Sequence, residues 1–129
     1  MSCQYTFRRI CGYDIIFVGD TMNTRYYSNR QERYIAKSLG GKKQANSGAT
    51  SFQKGDVKTD LFLIEAKTQV TEKKTFILRR EWFSKIREEA FSMGKPFSAV
   101  SVDFGDGEQH YIIDEKLFIK LNDFLKGEQ

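Results

Sequence analysis

Apolar residues follow two different periods along this chain, and the switches between them mark its elements. Leu61-Phe62-Leu63-Ile64 is an unbroken run of large apolar side chains, which predicts a strand buried on both faces. It passes into Glu65-Ala66-Lys67 with no turn signal, so the strand continues and its alternate side chains share a face. Upstream, Tyr13-Asp14-Ile15-Ile16-Phe17-Val18 reads as a strand and Gly19-Asp20-Thr21-Met22-Asn23 as a turn. Thr24-Arg25-Tyr26-Tyr27 then returns as the second strand of an N-terminal hairpin, or the segment 1–27 forms an arm against a second subunit.

Helical spacing appears three times. Ser28 or Asn29 caps a first helix running to Leu39, with Tyr34, Ile35 and Leu39 as its apolar stripe and Gly40-Gly41 as its stop. Ile77-Leu78, Trp82-Phe83, Ile86 and Ala90 predict a second helix from about Arg79 to Met93, ended by Gly94 and Pro96. Trp82 falls on its stripe and is expected in the core. A third helix opens at Asp114-Glu115, carries Leu117, Phe118, Leu121, Phe124 and Leu125 on one face, and stops at Gly127. Between the last two helices, residues 97–104 and 110–113 read as strands joined through Gly105-Asp106-Gly107. The expected architecture is α/β: a mixed central β-sheet flanked by helices, in one domain over residues 1–129, with an N-terminal hairpin (1–27), a core (28–113) and a C-terminal helix (114–129).

Composition changes this picture little. No apolar run approaches the ~20 residues that span a bilayer, and Met1-Ser2-Cys3-Gln4 lacks the layout of a signal peptide; a cytoplasmic, non-membrane location is the default expectation. Cys3 and Cys11, the only cysteines, could pair, but nothing else points to an oxidising compartment and two free thiols are expected. With the single His110 they make a poor zinc site, and no local motif supports a catalytic Cys–His pair.

Charge matters more. The net +4 divides into +3 over residues 1–41, +6 over 42–87 and −5 over 88–129. The basic middle surrounds the strand that ends in Glu65 and Lys67, which suits a polyanionic substrate. Gly41-Lys42-Lys43-Gln44-Ala45-Asn46-Ser47-Gly48-Ala49-Thr50 reads as a basic loop in which Lys42, Lys43, Ser47 and the backbone at Gly48 contact phosphate. Lys73 and Lys74, in a polar link, are further candidates for the DNA backbone.

The chemistry concentrates at one end of the buried strand. Glu65 and Lys67 share a face, and Asp56 lies at the start of the same stretch, with Asp60 as the alternative first acid. Two carboxylates and an ammonium suit metal-assisted phosphodiester hydrolysis, because hard oxygens hold Mg²⁺ and a lysine orients water or balances charge at the phosphate.

Gly55-Asp56 followed by Glu65-Ala66-Lys67 resembles the motif of the PD-(D/E)xK nuclease superfamily, with Gly55 in place of the literal proline. The likeness spans residues 28–113 and extends to the small-residue element Asn46-Ser47-Gly48-Ala49 before the first acid. Small Holliday-junction resolvases look nearest in size and element order, and phage recombination is a natural setting. The resemblance implies a restriction-endonuclease-like core and Mg²⁺, with Mn²⁺ as substitute, held by Asp56, Glu65 and the Ala66 carbonyl. It implies a further metal-binding acid on the preceding helix, where Glu32 is the only one. Asp56, Glu65 and Lys67 would be the catalytic residues, branched DNA the substrate, and a homodimer the working form. The alternatives are a non-catalytic nucleic-acid-binding or assembly module on the same fold, and a nuclease for linear or single-stranded DNA.

Overall fold

A computed structural model describes residues 5–10, 13–18, 24–44 and 55–127. Cys3, Cys11, Ser47, Gly48 and the turn expected over 19–23 lie outside them.

The element order is β1 (Tyr5–Ile10), β2 (Tyr13–Val18), α1 (Thr24–Leu39), β3 (Lys42–Lys43), β4 (Val57–Lys58), β5 (Phe62–Thr68), α2 (Arg80–Ser92), β6 (Phe97–Asp103), β7 (Gln109–Ile112) and α3 (Glu115–Gly127). β1 and β2 pair antiparallel as a separate two-stranded sheet, with Ile10 opposite Tyr13. The remaining strands form one mixed sheet in the order β3-β4-β5-β6-β7. Only the central pair, β5 and β6, is parallel, and α2 is the crossover that a parallel pair requires.

The N-terminal hairpin therefore exists, but its partner strands are not the expected ones. Residues 24–27 open α1 instead of returning as a strand. Tyr27, Gln31 and Ile35 recur at four-residue steps and all are buried, so the buried stripe starts at Tyr27, the helix opens about a turn before Ser28, and the two expected capping residues sit inside it. Lys42 and Lys43, expected in the basic loop, form a short edge strand opposite Lys58 and Val57, and the rest of that loop from residue 45 lies outside the described residues.

The sheet buries both faces. On one, Ile35 and Ala36 of α1 pack on Val57, Ile64 and Ala99; on the other, Ile86 and Ala90 of α2 pack on Leu63, Val100 and Val102. Adjacent residues Leu63 and Ile64 thus serve opposite layers, as period-two alternation demands. Each fully buried aliphatic side chain of this kind contributes ~1.5–3 kcal/mol. The four-residue apolar run is less uniform than its sequence: Leu61 precedes β5 and is exposed, and Phe62 is half-buried against Phe97.

Two further apolar expectations are corrected. Ile77 and Leu78 do not belong to α2 and are exposed. Trp82 is half-buried at the edge of the α2-side core, where it meets Phe76 edge-on. α3 starts where predicted, since the Leu117 amide donates to Asp114 Oδ1 at 2.9 Å. Only Leu117 of its apolar face is buried, while Phe118, Leu121, Phe124 and Leu125 are exposed. None of the described helices is long and apolar enough to cross a membrane.

Candidate active site at the end of strand β5

Strand pairing determines which acids meet. Val57 lies opposite Ile64 and Lys58 opposite Leu63, and the Asp56 amide donates to the Ile64 carbonyl at 2.9 Å. Asp56 is thereby brought level with Glu65. Its Oδ2 accepts the Ala66 amide at 2.8 Å, which ties the first acid to the backbone between Glu65 and Lys67. Asp60 lies at the other end of the pair, in the β4–β5 turn closed by Thr59, whose Oγ1 accepts the Phe62 amide at 2.9 Å. Of the two candidate first acids, Asp56 shares a place with Glu65 and Asp60 does not.

The glycine before Asp56 has two physical reasons. Gly55 adopts φ +71°, open to glycine at little cost and closed to proline. A Cβ at this position would come within 2.6 Å of Leu63 Cγ. Its amide also donates to Glu89 Oε1 of α2 at 2.8 Å, a bond that proline could not make. Glu89, which pairs loosely with Lys85 at 3.8 Å, therefore fixes the approach to Asp56. No feature of the local sequence marks Glu89 for this role.

Glu65 and Lys67 meet as the strand period predicts: Lys67 Nζ lies 3.1 Å from Glu65 Oε2. Lys67 Nζ also sits over the Trp82 ring, 4.8 Å from its centre, close enough for a cation–π attraction. Two independent contacts thus hold the lysine head in place. From the opposite layer, α1 contributes Glu32, which is 8% exposed and pairs with Lys43 Nζ at 3.5 Å. Burial, followed by the negative charge of Asp56 and then of Glu65, pushes the Glu32 carboxyl up to about 7, against the opposing pull of Lys43. Glu32, Asp56 and Glu65 consequently share one electrostatic neighbourhood. Lys43, read in the sequence as a phosphate contact, is placed here as the partner of Glu32.

A buried polar network supports the site from behind. Gln31 Nε2 donates to the Lys67 carbonyl at 2.9 Å and to Gln109 Oε1 at 3.0 Å. Ser101 Oγ donates to the same Gln109 oxygen at 2.8 Å. Gln109 Nε2 in turn donates to Asp103 Oδ2 at 2.8 Å, while Asp103 Oδ1 accepts the amides of Gly105 and Gly107. The network links α1, β5, β6 and β7 around the backbone that carries Lys67. Sequence reasoning missed all four side chains.

The remaining candidates fall around this centre. Lys42 faces solvent on the edge strand, and Lys73 and Lys74 are exposed in the link after β5. The link itself is held, since the Lys73 amide donates to the Phe104 carbonyl at 2.8 Å. His110 stacks edge-on against Phe104 on the exposed side of β7, outside the acid cluster.

Among the described residues, no three His, Cys, Asp or Glu side chains form a ready-made metal cluster. The donor set suits a smaller demand: Mg²⁺ commonly takes one or two carboxylates and completes its shell with water and substrate phosphate. Compared with family models, curated proteins and solved structures, the chain matches none.

Proposed function

We propose that this protein is a Mg²⁺-dependent endodeoxyribonuclease of the PD-(D/E)xK type that cuts branched DNA as a homodimer, in the manner of a Holliday-junction resolvase. The observation that carries the reading is the Asp56 carboxylate anchored to the Ala66 amide, beside the Glu65–Lys67 pair. The strand pairing that brings Asp56 beside Glu65 and Lys67 supports this reading of the motif.

Asp56, Glu65 and the Ala66 carbonyl would hold Mg²⁺, with Glu32 as a further carboxylate. The Glu32 carboxyl is raised first by burial and then by the nearby charges of Asp56 and Glu65, and a cation bound beside these acids would favour its ionised form. When bound, the metal supplies Lewis acidity at the phosphate and a more acidic water. Lys67, steered by Glu65 and Trp82, orients the attacking water and offsets charge on the phosphoryl oxygens. Gln31 keeps the Lys67 backbone in register. A two-fold dimer would present two equal sites to a four-way junction.

The test is incubation of purified protein with linear, nicked, flapped and four-way DNA, in Mg²⁺, Mn²⁺, Ca²⁺ or EDTA. Cutting in Mg²⁺ and Mn²⁺, none in Ca²⁺ or EDTA, and preference for branched substrates are expected. Full cutting by metal-stripped protein in EDTA would remove the metal assignment, and binding with no cutting in any metal would leave a DNA-binding module on this fold.

A further inference from the structure

Lys67 borders a second space besides the acid cluster. A cavity of about 480 Å³ lies beside it, lined by Lys67, Lys73, Phe76, Ile77, Arg79 and Trp82 among others. Its wall is the segment between β5 and α2, which has no regular secondary structure over residues 75–79 yet is firmly attached. The Lys73 amide bonds to the Phe104 carbonyl. Phe76 turns inward, meeting Trp82 at 6.3 Å and Phe104 at 5.7 Å between ring centres. Gly105 admits the link closely, as a Cβ there would come within 2.6 Å of the Thr71 carbonyl oxygen. With its neighbour Phe76 anchored, Ile77 projects outward and is 81% exposed.

A single exposed isoleucine is unremarkable on a protein surface. This one differs in its surroundings. It stands beside a cavity that shares a wall with the proposed catalytic lysine, and the cations on either side of it suit a polyanion. Lys73 makes no ion pair among the described residues. Arg79 makes only an exposed contact with Glu81 at 3.8 Å, the kind of pair worth ~0–1 kcal/mol and readily exchanged for a phosphate. An apolar and aromatic surface flanked by cations is the chemistry that binds an unstacked nucleotide, base on the apolar side and phosphate on the cations. In an intact duplex the base faces are covered by stacking; at a branch, flap or nick they are not.

We propose that the Lys67–Ile77 cavity receives an unpaired nucleotide next to the bond to be cut, its base against Ile77 and its phosphates on Lys73 and Arg79. This gives the enzyme a means of telling branched DNA from continuous duplex, which no sequence motif supplied. It rests on the nuclease reading for the position of the cleaved bond, but its binding step needs no metal.

Trp82 is the only tryptophan in the chain and lines the cavity, so its fluorescence reports occupancy directly. The full-length protein in EDTA is titrated with oligothymidylate, with a flush duplex, and with the same duplex carrying a single-stranded flap. Flap and single strand should change Trp82 emission, and the flap should bind more tightly than the flush duplex. Ile77→Ser should lower affinity for the flap by about 3- to 30-fold, the scale of one lost apolar contact, and leave the flush duplex unaffected. Arg79→Ala should flatten the salt dependence of flap binding by up to about one unit. Equal flap preference in wild type and Ile77→Ser would overturn the proposal. So would a change in the mass of the free protein on Ile77→Ser with flap preference intact, which would assign Ile77 to a subunit contact. Flap preference lost with Ile77→Ser in a protein that never cuts in Mg²⁺ would uphold this site and remove the nuclease reading. Metal-dependent cutting without any flap preference would do the reverse.

Discussion

Glu32 carries the largest electrostatic strain among the described residues of the site, and the strain has a definite sign. Folding raises its carboxyl from 4.5 to about 7. Below about pH 4.5 the group is neutral in both folded and unfolded chains and costs nothing. Between the two values the unfolded chain gives up its proton and the folded chain keeps it, so stability falls as pH rises through this window. Above about 7 the penalty is complete, on the order of 1–3 kcal/mol. Glu32→Gln removes it. In EDTA, thermal unfolding at pH 8 should therefore show Glu32→Gln gaining on wild type, relative to the comparison at pH 5; an equal difference at both values would contradict the raised carboxyl. Mg²⁺ should narrow the difference at pH 8. At Gly55, the literal proline of the nuclease motif would be a defect in this chain. Gly55→Pro loses the amide bond to Glu89, cannot reach φ +71°, and adds atoms against Leu63. A loss of about 3 kcal/mol or more is expected, read as a lower midpoint in urea unfolding. Stability equal to wild type would mean that this turn is not held as described.

At the level of elements, legibility followed periodicity. β5, α2, β6, β7 and α3 each carry several residues of one period, and each lies within a residue or two of where that period puts it. The Glu65–Lys67 pair was readable for the same reason, since two residues on one strand face need no tertiary information. α1 began a turn early because Tyr27 and Gln31 extend its buried stripe, and a buried glutamine does not register as apolar in a sequence pattern. β3 is two residues long and has no period at all. The Asp56–Ala66 bond and the Gln31–Gln109–Asp103 network were illegible for another reason: Gln31 reaches partners 36, 70 and 78 residues away, and such separations leave no local trace. The network makes its own prediction. Gln109→Ala leaves Gln31, Ser101 and Asp103 each short of a partner inside the protein, at a cost of about 1–3 kcal/mol. Urea unfolding checks this, and a change below about half a kcal/mol would show that the network is not structural.

For the whole molecule, charge and apolar surface point to different partners. In sequence the basic segment 42–87 brackets Asp56 and Glu65, and on the proposed function binding to DNA should weaken steeply with salt. Replacing both Lys73 and Lys74 should flatten that slope by up to about two units; an unchanged slope would place these lysines away from DNA. The apolar surplus lies elsewhere. Phe118, Leu121, Phe124 and Leu125 of α3 face solvent, and the β1–β2 hairpin forms a sheet apart from the central one. The exposed apolar face of α3 is one candidate surface for the proposed dimer, and the hairpin is the other. Light scattering at micromolar concentration should give about twice the 15.0 kDa of one chain; the mass of a single chain throughout would reject the dimer. Deleting residues 1–27 removes the first turn of α1 with Tyr27 as well as the hairpin, so a cut at residue 23 is the cleaner test of the hairpin as interface.

The central claim is that Asp56, Glu65 and Lys67 form one catalytic unit, and single-turnover cleavage of a four-way junction in Mg²⁺ tests it most directly. Asp56→Asn, Glu65→Gln and Lys67→Ala should each slow cutting by about 10²-fold or more while still folding and binding DNA, and Asp60→Asn should cut at the wild-type rate. A Lys67→Ala protein that cuts as fast as wild type, or an Asp60→Asn protein that alone is inactive, would contradict the account.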